Sequence, residues 1–342
     1  MNIPTKYNID WVPKKHINKQ RVNDLIQTSV ETGRFTNNGP NVQLLEKVIR
    51  EKLQIDDSKS VIAVTNGSVA LHALSSGIEY YHKQKIKWAT QSFTFPPSAQ
   101  GTLSNAKIVD IDKDGGLNLD ELDETINGII VTNIFGNVVD IGKYEKWAQE
   151  NNKFLLFDNA ATPFTFYKGK SCCNYGHGSI ISFHHTKPLG FGEGGAIIVD
   201  KKYEKNIRCL NNFGFYLEDK NLWVREGNNY KMSDISAIYI IQYLDNFDTI
   251  IKKHKKLYNY FKEEITRNKL PITLFPSFHD DDKIIPSCFC LLFDIPEKTY
   301  EIEKNLLKNG IFCRKYYQPL KNTKNAVNLF NRILCLPCNI DM

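Results

Sequence analysis

The sequence predicts an α/β fold, with a central, mostly parallel sheet covered by helices on both faces and a smaller α+β unit after it. Three observations predict this. Short apolar runs alternate with helical stretches through the first two-thirds of the chain, the pattern of crossover connections in a parallel sheet. Beyond Ser233 a long helical stretch is followed by a strand, helix, strand, strand order. The 342 residues fit one large or two moderate domains with a sizeable core. The expected boundary lies near residue 245. This gives 1–245 as an N-terminal segment with the large domain and 246–342 as the small one. No internal repeat or low-complexity segment interrupts the pattern.

Taken in order, Val61–Thr65 reads as a strand and Ser68–Tyr80 as the helix after it. Ile86–Thr90, Ala106–Ile111 and Gly128–Thr132 are strands. Ile141–Asn151 is helical, and Phe154–Phe157 is a strand ending at Asp158. Ile180–Phe183 and Ala196–Val199 complete the first set. A helix starts near Ser233 and runs past Leu244. Then come a strand at Cys288–Phe293, a helix at Thr299–Asn309, and strands at Ile311–Arg314 and Ile333–Leu336. Lys252-Lys253-His254-Lys255-Lys256 reads as the solvated face of a helix, since apolar residues fall around it at helical spacing.

Bulk properties exclude several classes. Composition is that of a globular protein, with 42% hydrophobic and 24% charged residues and a net charge of +6 that is mostly scattered. That charge is too diffuse for a nucleic-acid surface. No apolar run reaches the ~18 residues of a membrane span, and Met1–Lys6 lacks a signal-peptide core. A cytoplasmic protein with reduced cysteines is expected. Cys335 and Cys338 form a C-x-x-C and Cys288 and Cys290 a C-x-C. The former lies in an apolar strand end and reads as core packing, so no metal is predicted.

The chemistry is expected around Lys187. It sits in Ser182-Phe183-His184-His185-Thr186-Lys187-Pro188-Leu189-Gly190-Phe191-Gly192-Glu193-Gly194-Gly195, between two strand-like runs and among five glycines and prolines. A lysine so placed is positioned for a Schiff base, which points to pyridoxal phosphate. That cofactor needs backbone N–H groups for its phosphate, and Thr65-Asn66-Gly67-Ser68 supplies a strand-to-helix turn. The same turn is also what an ordinary serine-capped helix would show. The ring nitrogen needs a carboxylate, and Asp158 ends a strand at the sheet's carboxyl edge, where a capping aspartate would also sit. The ring face needs a flat apolar surface, and Phe93 and Phe95 lie in a loop after a strand. Burial beside a cofactor would lower the Lys187 pKa.

Together, Gly67-Ser68, Ser92-Phe93-Thr94-Phe95, Asp158, Ser182-Phe183, Lys187 and Gly192-Glu193-Gly194-Gly195 resemble the DegT/DnrJ/EryC1/StrS family. These are pyridoxal phosphate-dependent nucleotide-sugar aminotransferases of the type I aspartate aminotransferase fold. Arg34–Pro40 is similar to the family's substrate-side loop, and Asn133–Asn137 to the segment before its aspartate. The 29-residue step from Asp158 to Lys187 and the intervening Tyr167-Lys168-Gly169 also match. The likeness runs from about residue 20 to the end.

The resemblance implies that Lys187 forms the Schiff base and shuttles the proton. It implies Asp158 on the pyridine nitrogen, Phe95 stacked on the ring, and Gly67, Ser68 and Ser182 around the phosphate. Asn229, in Gly227–Asp234, would complete the phosphate site of a neighbouring subunit in a homodimer. Tyr317 would touch substrate. Three departures stand out. Ala161 replaces a residue that contacts the ring oxygen in the family, leaving Asn159 or Thr162 to substitute. Pro188 follows Lys187 in place of asparagine. His184 and His185 precede it, offering either proton transfer or substrate contact, or simply one solvent-facing and one packed ring. The chain also ends soon after Leu336-Pro337, where relatives add a helix, so a naturally short C-terminus is expected. The implied reaction moves the amino group of L-glutamate to a nucleotide-linked keto-sugar by a ping-pong route through pyridoxamine phosphate, C4 favoured over C3 from the Lys187-to-Gly192 spacing. It would serve a surface glycan, such as a lipopolysaccharide O-antigen, or another amino-sugar pathway. The alternatives are a sugar dehydratase of the same fold and a non-catalytic regulatory member.

Overall fold

The structure is a computed structural model and describes residues 7–216, 221–270, 272–275 and 285–341. Two helices come first, α1 (Lys19–Thr32) and α2 (Pro40–Lys52), then β1 (Lys59–Val64) and α3 (Gly67–His82). Next are β2 (Trp88–Gln91), β3 (Lys107–Val109), β4 (Gly128–Thr132), α4 (Ile141–Glu150) and β5 (Phe154–Asp158). A small hairpin, β6 (Phe166–Tyr167) and β7 (Lys170–Ser171), precedes β8 (Gly178–Ser182), β9 (Gly195–Asp200) and α5 (Lys201–Asn211). The rest comprises α6 (Asp234–Leu244), α7 (Phe247–Arg267), β10 (Thr273–Leu274), β11 (Cys288–Leu292), α8 (Pro296–Lys308), α9 (Lys324–Arg332) and β12 (Ile333–Pro337).

Seven strands form the main sheet in the order β1-β9-β8-β5-β4-β2-β3. Six run parallel, and β9 alone runs against both its neighbours. The strands are apolar on both faces because both are covered. Ile62, Val64, Ile130, Leu156 and Ile180 pack against α3 and α5. Val61, Ala63, Ile129, Val131, Leu155 and Phe157 pack against α1, α2, α4 and α6.

Every first-set strand read from the sequence is present, Gly128–Thr132 with the same ends and the others with ends shifted by no more than two residues. The expected strand at Ile311–Arg314 is not a full strand. Among the described residues only single bridges, Ile9 to Ile311 and Arg314 to Cys335, form there. The long helix after Ser233 is two helices, α6 and α7, interrupted at Asp245-Asn246. On α7 the four lysines of 252–256 are exposed while His254 points inward. α7 bridges two cores: Ile250 packs against the main sheet's layer, and Tyr258 and Phe261 pack with Phe289 of the three-stranded sheet β10-β11-β12. No helix among the described residues is long and apolar enough to cross a membrane.

This topology brings four strand ends to one edge. Val64, Thr132, Asp158 and Ser182 are the last residues of parallel strands. In the register Gly195 pairs with both Val64 and Ser182, and Thr132 with Asp158.

Candidate active site

Asn66, rather than a serine, caps α3: its side chain accepts from the Val69 N–H at 3.1 Å. Gly67 and Ser68 therefore fall in the first turn, where N–H groups lack helical partners and the helix dipole is positive. Gly67 packs against the end of β8. A Cβ on it would lie 2.9 Å from the Ser182 Cβ. The Ser182 hydroxyl accepts from the His184 N–H at 3.2 Å. Gly67, Ser68 and Ser182 thus form one cradle, shaped for an anion approaching a helix start.

Asp158 is 5% exposed at the end of β5. One carboxylate oxygen accepts from the Ala160 N–H at 2.9 Å. Burial raises its pKa, opposed by that hydrogen bond and by the charge of Lys187. A buried carboxylate in this condition favours a cationic N–H partner.

Lys187 is half-buried. Desolvation lowers its pKa, while Asp158 and Cys288 act in the other direction. Its turn is tightly determined. The Lys187 N–H donates to the His184 carbonyl at 2.8 Å, and the Gly190 N–H donates to the Lys187 carbonyl at 2.9 Å. A Cβ on Gly190 would overlap the His184 carbonyl, so only glycine fits there. Pro188 removes an N–H inside this turn, where no ladder bond is lost.

Sequence reading missed Lys15. Its Nζ donates to the carbonyls of His185 at 2.6 Å and Lys187 at 2.9 Å, and also to that of Gly190. It also sits 4.9 Å from the centre of the Tyr243 ring. Burial pulls the Lys15 ammonium down to about 7. Nothing in the local sequence Pro13-Lys14-Lys15-His16 announces a contact 172 residues away.

The aromatic loop splits its roles. Phe93 is fully buried in a core cluster, whereas Phe95 is 57% exposed and free to face a ligand. Tyr317 stacks on Phe135 with centroids 5.2 Å apart and meets Phe95 edge-on at 6.5 Å. Burial pushes its phenol well above the usual range, with Cys288 and Asp158 adding to this. Asn159 and Thr162, the offered substitutes at Ala161, are committed elsewhere. Asn159 accepts from the Asn133 amide at 2.7 Å, and the Thr162 hydroxyl donates to the Asn133 carbonyl at 2.8 Å.

Of the histidines, His184 contacts the Thr186 hydroxyl at 2.8 Å and approaches Glu193 at 3.5 Å. His185 is exposed, and its Nδ1 accepts from the Gly192 N–H at 3.3 Å. Burial lowers the His185 pKa, with Lys15 and His184 contributing. Asn229 is exposed, and its side chain accepts from Lys231 at 2.7 Å.

The loop before α2, Arg34–Pro40, is tied down by Asp234, which is fully buried and was not singled out from sequence. Its carboxylate accepts from the Ser29 hydroxyl at 2.6 Å, the Asn41 amide at 2.9 Å and the Val42 N–H at 2.9 Å, serving the start of α2. Arg34–Asn38 then line a cavity of about 630 Å³ with Arg208, Phe213 and Lys231. Neither Lys187 nor Asp158 lines it.

The donor set therefore fits pyridoxal phosphate: an anion cradle at a helix start, a buried carboxylate, a desolvated lysine and an exposed aromatic ring. Comparison with known proteins agrees. The DegT/DnrJ/EryC1/StrS aminotransferase family model matches residues 16–342. A dTDP-4-amino-4,6-dideoxy-D-glucose transaminase of Shigella dysenteriae is 26% identical, over 90% of this chain and 88% of that protein. A UDP-4-amino-4,6-dideoxy-N-acetyl-beta-L-altrosamine transaminase of Campylobacter jejuni is 25% identical, over 89% and 86%. The solved structure of Helicobacter pylori PseC, an aminotransferase involved in the biosynthesis of pseudoaminic acid, superposes with a TM-score of 0.85 at 17% identity, covering 98% of this chain and 95% of that one. The chain belongs to the DegT/DnrJ/EryC1/StrS family and is a pyridoxal phosphate-dependent aminotransferase.

Proposed function

We propose that this enzyme moves the amino group of L-glutamate to the keto carbon of a nucleotide-linked sugar, at C4 in preference to C3. The observation that carries the reading is the pairing of a desolvated Lys187 with the buried Asp158 at one sheet edge. The two curated relatives, both named for 4-amino sugar nucleotides, support a sugar acceptor and the C4 preference. A surface-glycan pathway and a cytoplasmic location are part of the same reading.

Bound pyridoxal phosphate supplies an electron sink for the carbon that loses or gains the proton. Lys187 Nζ, as a free amine, takes a proton from the substrate carbon and returns it on the other side of the transfer. Asp158 would hold a proton on the ring nitrogen of the bound group by a charge-assisted hydrogen bond. The first-turn N–H groups of Gly67 and Ser68, with the Ser182 hydroxyl, would orient the phosphate. Phe95 would cover the ring face, and Tyr317, which meets Phe95 edge-on at 6.5 Å, would contact substrate.

We also propose a homodimer in which Asn229 serves the partner's phosphate site. Its exposure in one chain supports this. The division of the chain near residue 245 is likewise proposed, supported by the break between α6 and α7. Purified enzyme given L-glutamate should produce 2-oxoglutarate, and then aminate dTDP- or UDP-4-keto sugars. Amination of 3-keto sugars alone would overturn the C4 preference, and no 2-oxoglutarate would overturn the donor.

A further inference from the structure

The small sheet concentrates thiols beside the site without any of them entering the transamination chemistry. Cys288 and Cys290 are two residues apart on β11, so their side chains share one face. Cys335 on β12 lies directly opposite Cys290 in the antiparallel register. Its own N–H and carbonyl bond to Arg314, away from β11. Cys290 and Cys335 are thus a non-hydrogen-bonded pair, the kind whose side chains approach closest. Their sulfurs are 3.5 Å apart, as are those of Cys288 and Cys290. All three sulfurs lie within 4.8 Å of one another and are buried. The C-x-x-C spacing is not the operative one, since Cys338 turns away to contact His254 Nδ1 at 3.1 Å.

We propose that Cys288, Cys290 and Cys335 form a binding site for one thiophilic closed-shell cation, Zn²⁺ or Cu⁺. Ligands at about 2.3 Å from a tetrahedral metal stand about 3.8 Å apart; two of the sulfur separations are 3.5 Å, a few tenths short of that spacing, and the third lies within 4.8 Å. Soft thiolates select these two ions over Mg²⁺, Ca²⁺ or Mn²⁺. Three sulfurs complete a trigonal Cu⁺ site. Zn²⁺ would take a water as fourth ligand, because no other His, Cys, Asp or Glu joins the cluster among the described residues. On binding, each ligating thiol releases its proton and forms one metal–sulfur bond, with no change of oxidation state. The position is specific. The thiols share a core cluster with Phe93 and Phe135, and Tyr317 packs on that cluster. An ion there would pin β11 to β12 beneath Tyr317.

The test uses reduced, cofactor-loaded enzyme with its free thiols counted. Cd²⁺ is titrated as a spectroscopic probe, and Zn²⁺ and Cu⁺ are each competed against a chromophoric chelator. One ion per chain, with a sulfur-to-metal charge-transfer band and proton release, is expected. Cys290→Ser and Cys335→Ala should lose the ion and its stabilisation of the thermal midpoint, while Cys209→Ala, a buried thiol elsewhere, keeps both. Retention of either ion supports the site, and the chelator competition says which it prefers. Absence of binding to fully reduced enzyme, or a band that survives Cys290→Ser, overturns it. Should a variant unfold, X-ray absorption on the wild type with Zn²⁺ decides: three sulfur neighbours support the site, and nitrogen or oxygen neighbours alone overturn it.

Discussion

The Lys15 ammonium donates to the backbone carbonyl of Lys187 at 2.9 Å, tying the N-terminal segment to the turn that carries Lys187. The carbonyls of His185 and Gly190 take its other two N–H groups. Three acceptors converge on one ammonium, so the turn is held by charge-assisted bonds rather than by packing alone.

Replacing Lys15 with Met should therefore loosen the Lys187 turn while leaving the sheet intact. Cofactor affinity is expected to fall by about tenfold or more, roughly 1.4 kcal/mol, as read by spectrophotometric titration of apoenzyme. An unchanged affinity would show that the turn holds itself.

Gly67→Ala places a methyl group 2.9 Å from the Ser182 Cβ. Overpacking of this kind costs about 1–3 kcal/mol, and the phosphate cradle should widen. The double variant with Ser182→Gly should recover much of the loss of stability, because the clash is with that side chain. A double-mutant cycle with no coupling would contradict the contact.

Asp158→Asn preserves size but removes the charge that would hold a proton on a ring nitrogen. The variant should still bind cofactor through Lys187 and the cradle, yet its glutamate half-reaction should slow by about 100-fold or more. Stopped-flow absorbance measures this directly, and a rate near wild type would remove Asp158 from the chemistry.

His254 gives a pH signature. It is almost fully buried, its Nε2 has no hydrogen-bond partner among the described residues, and desolvation, with Lys15 adding, pulls its pKa down to about 4 from 6.5. Between those values the unfolded chain binds more protons than the folded one, so stability rises with pH across the window and is lost on acidification. At about 1.4 kcal/mol per unit, the effect approaches 3 kcal/mol by pH 4. Urea unfolding of wild type and His254→Leu at pH 7 and pH 4.5 should show the gap between them shift in favour of the variant at low pH. A constant gap would mean that His254 is not the titrating group.

Much of this was legible in the sequence because the parallel strands are short apolar runs with polar residues at their carboxyl ends. Asp158, Ser182 and the Gly67-Ser68 turn stand where strand ends put them. What was not legible depends on contacts distant in sequence. Lys15 and Asp234 look like a surface charge and a helix-start residue, and become structural only when chain segments more than a hundred residues apart pack together. The thiol triad depends on the β11–β12 register, which a C-x-x-C motif actively misdirects. The stretch Ile311–Arg314 has strand composition, yet among the described residues it forms isolated bridges, to Ile9 and Cys335, and its Ile311 N–H turns back to the Leu306 carbonyl.

The most direct test of the account is the absorbance spectrum of purified protein with pyridoxal phosphate, before and after L-glutamate, alongside Lys187→Ala. The account predicts the band of lysine-bound cofactor in the wild type, its conversion by glutamate to the pyridoxamine phosphate spectrum, and no such band in the variant. A lysine-bound band in Lys187→Ala, or a wild-type spectrum that glutamate leaves unchanged, would contradict it.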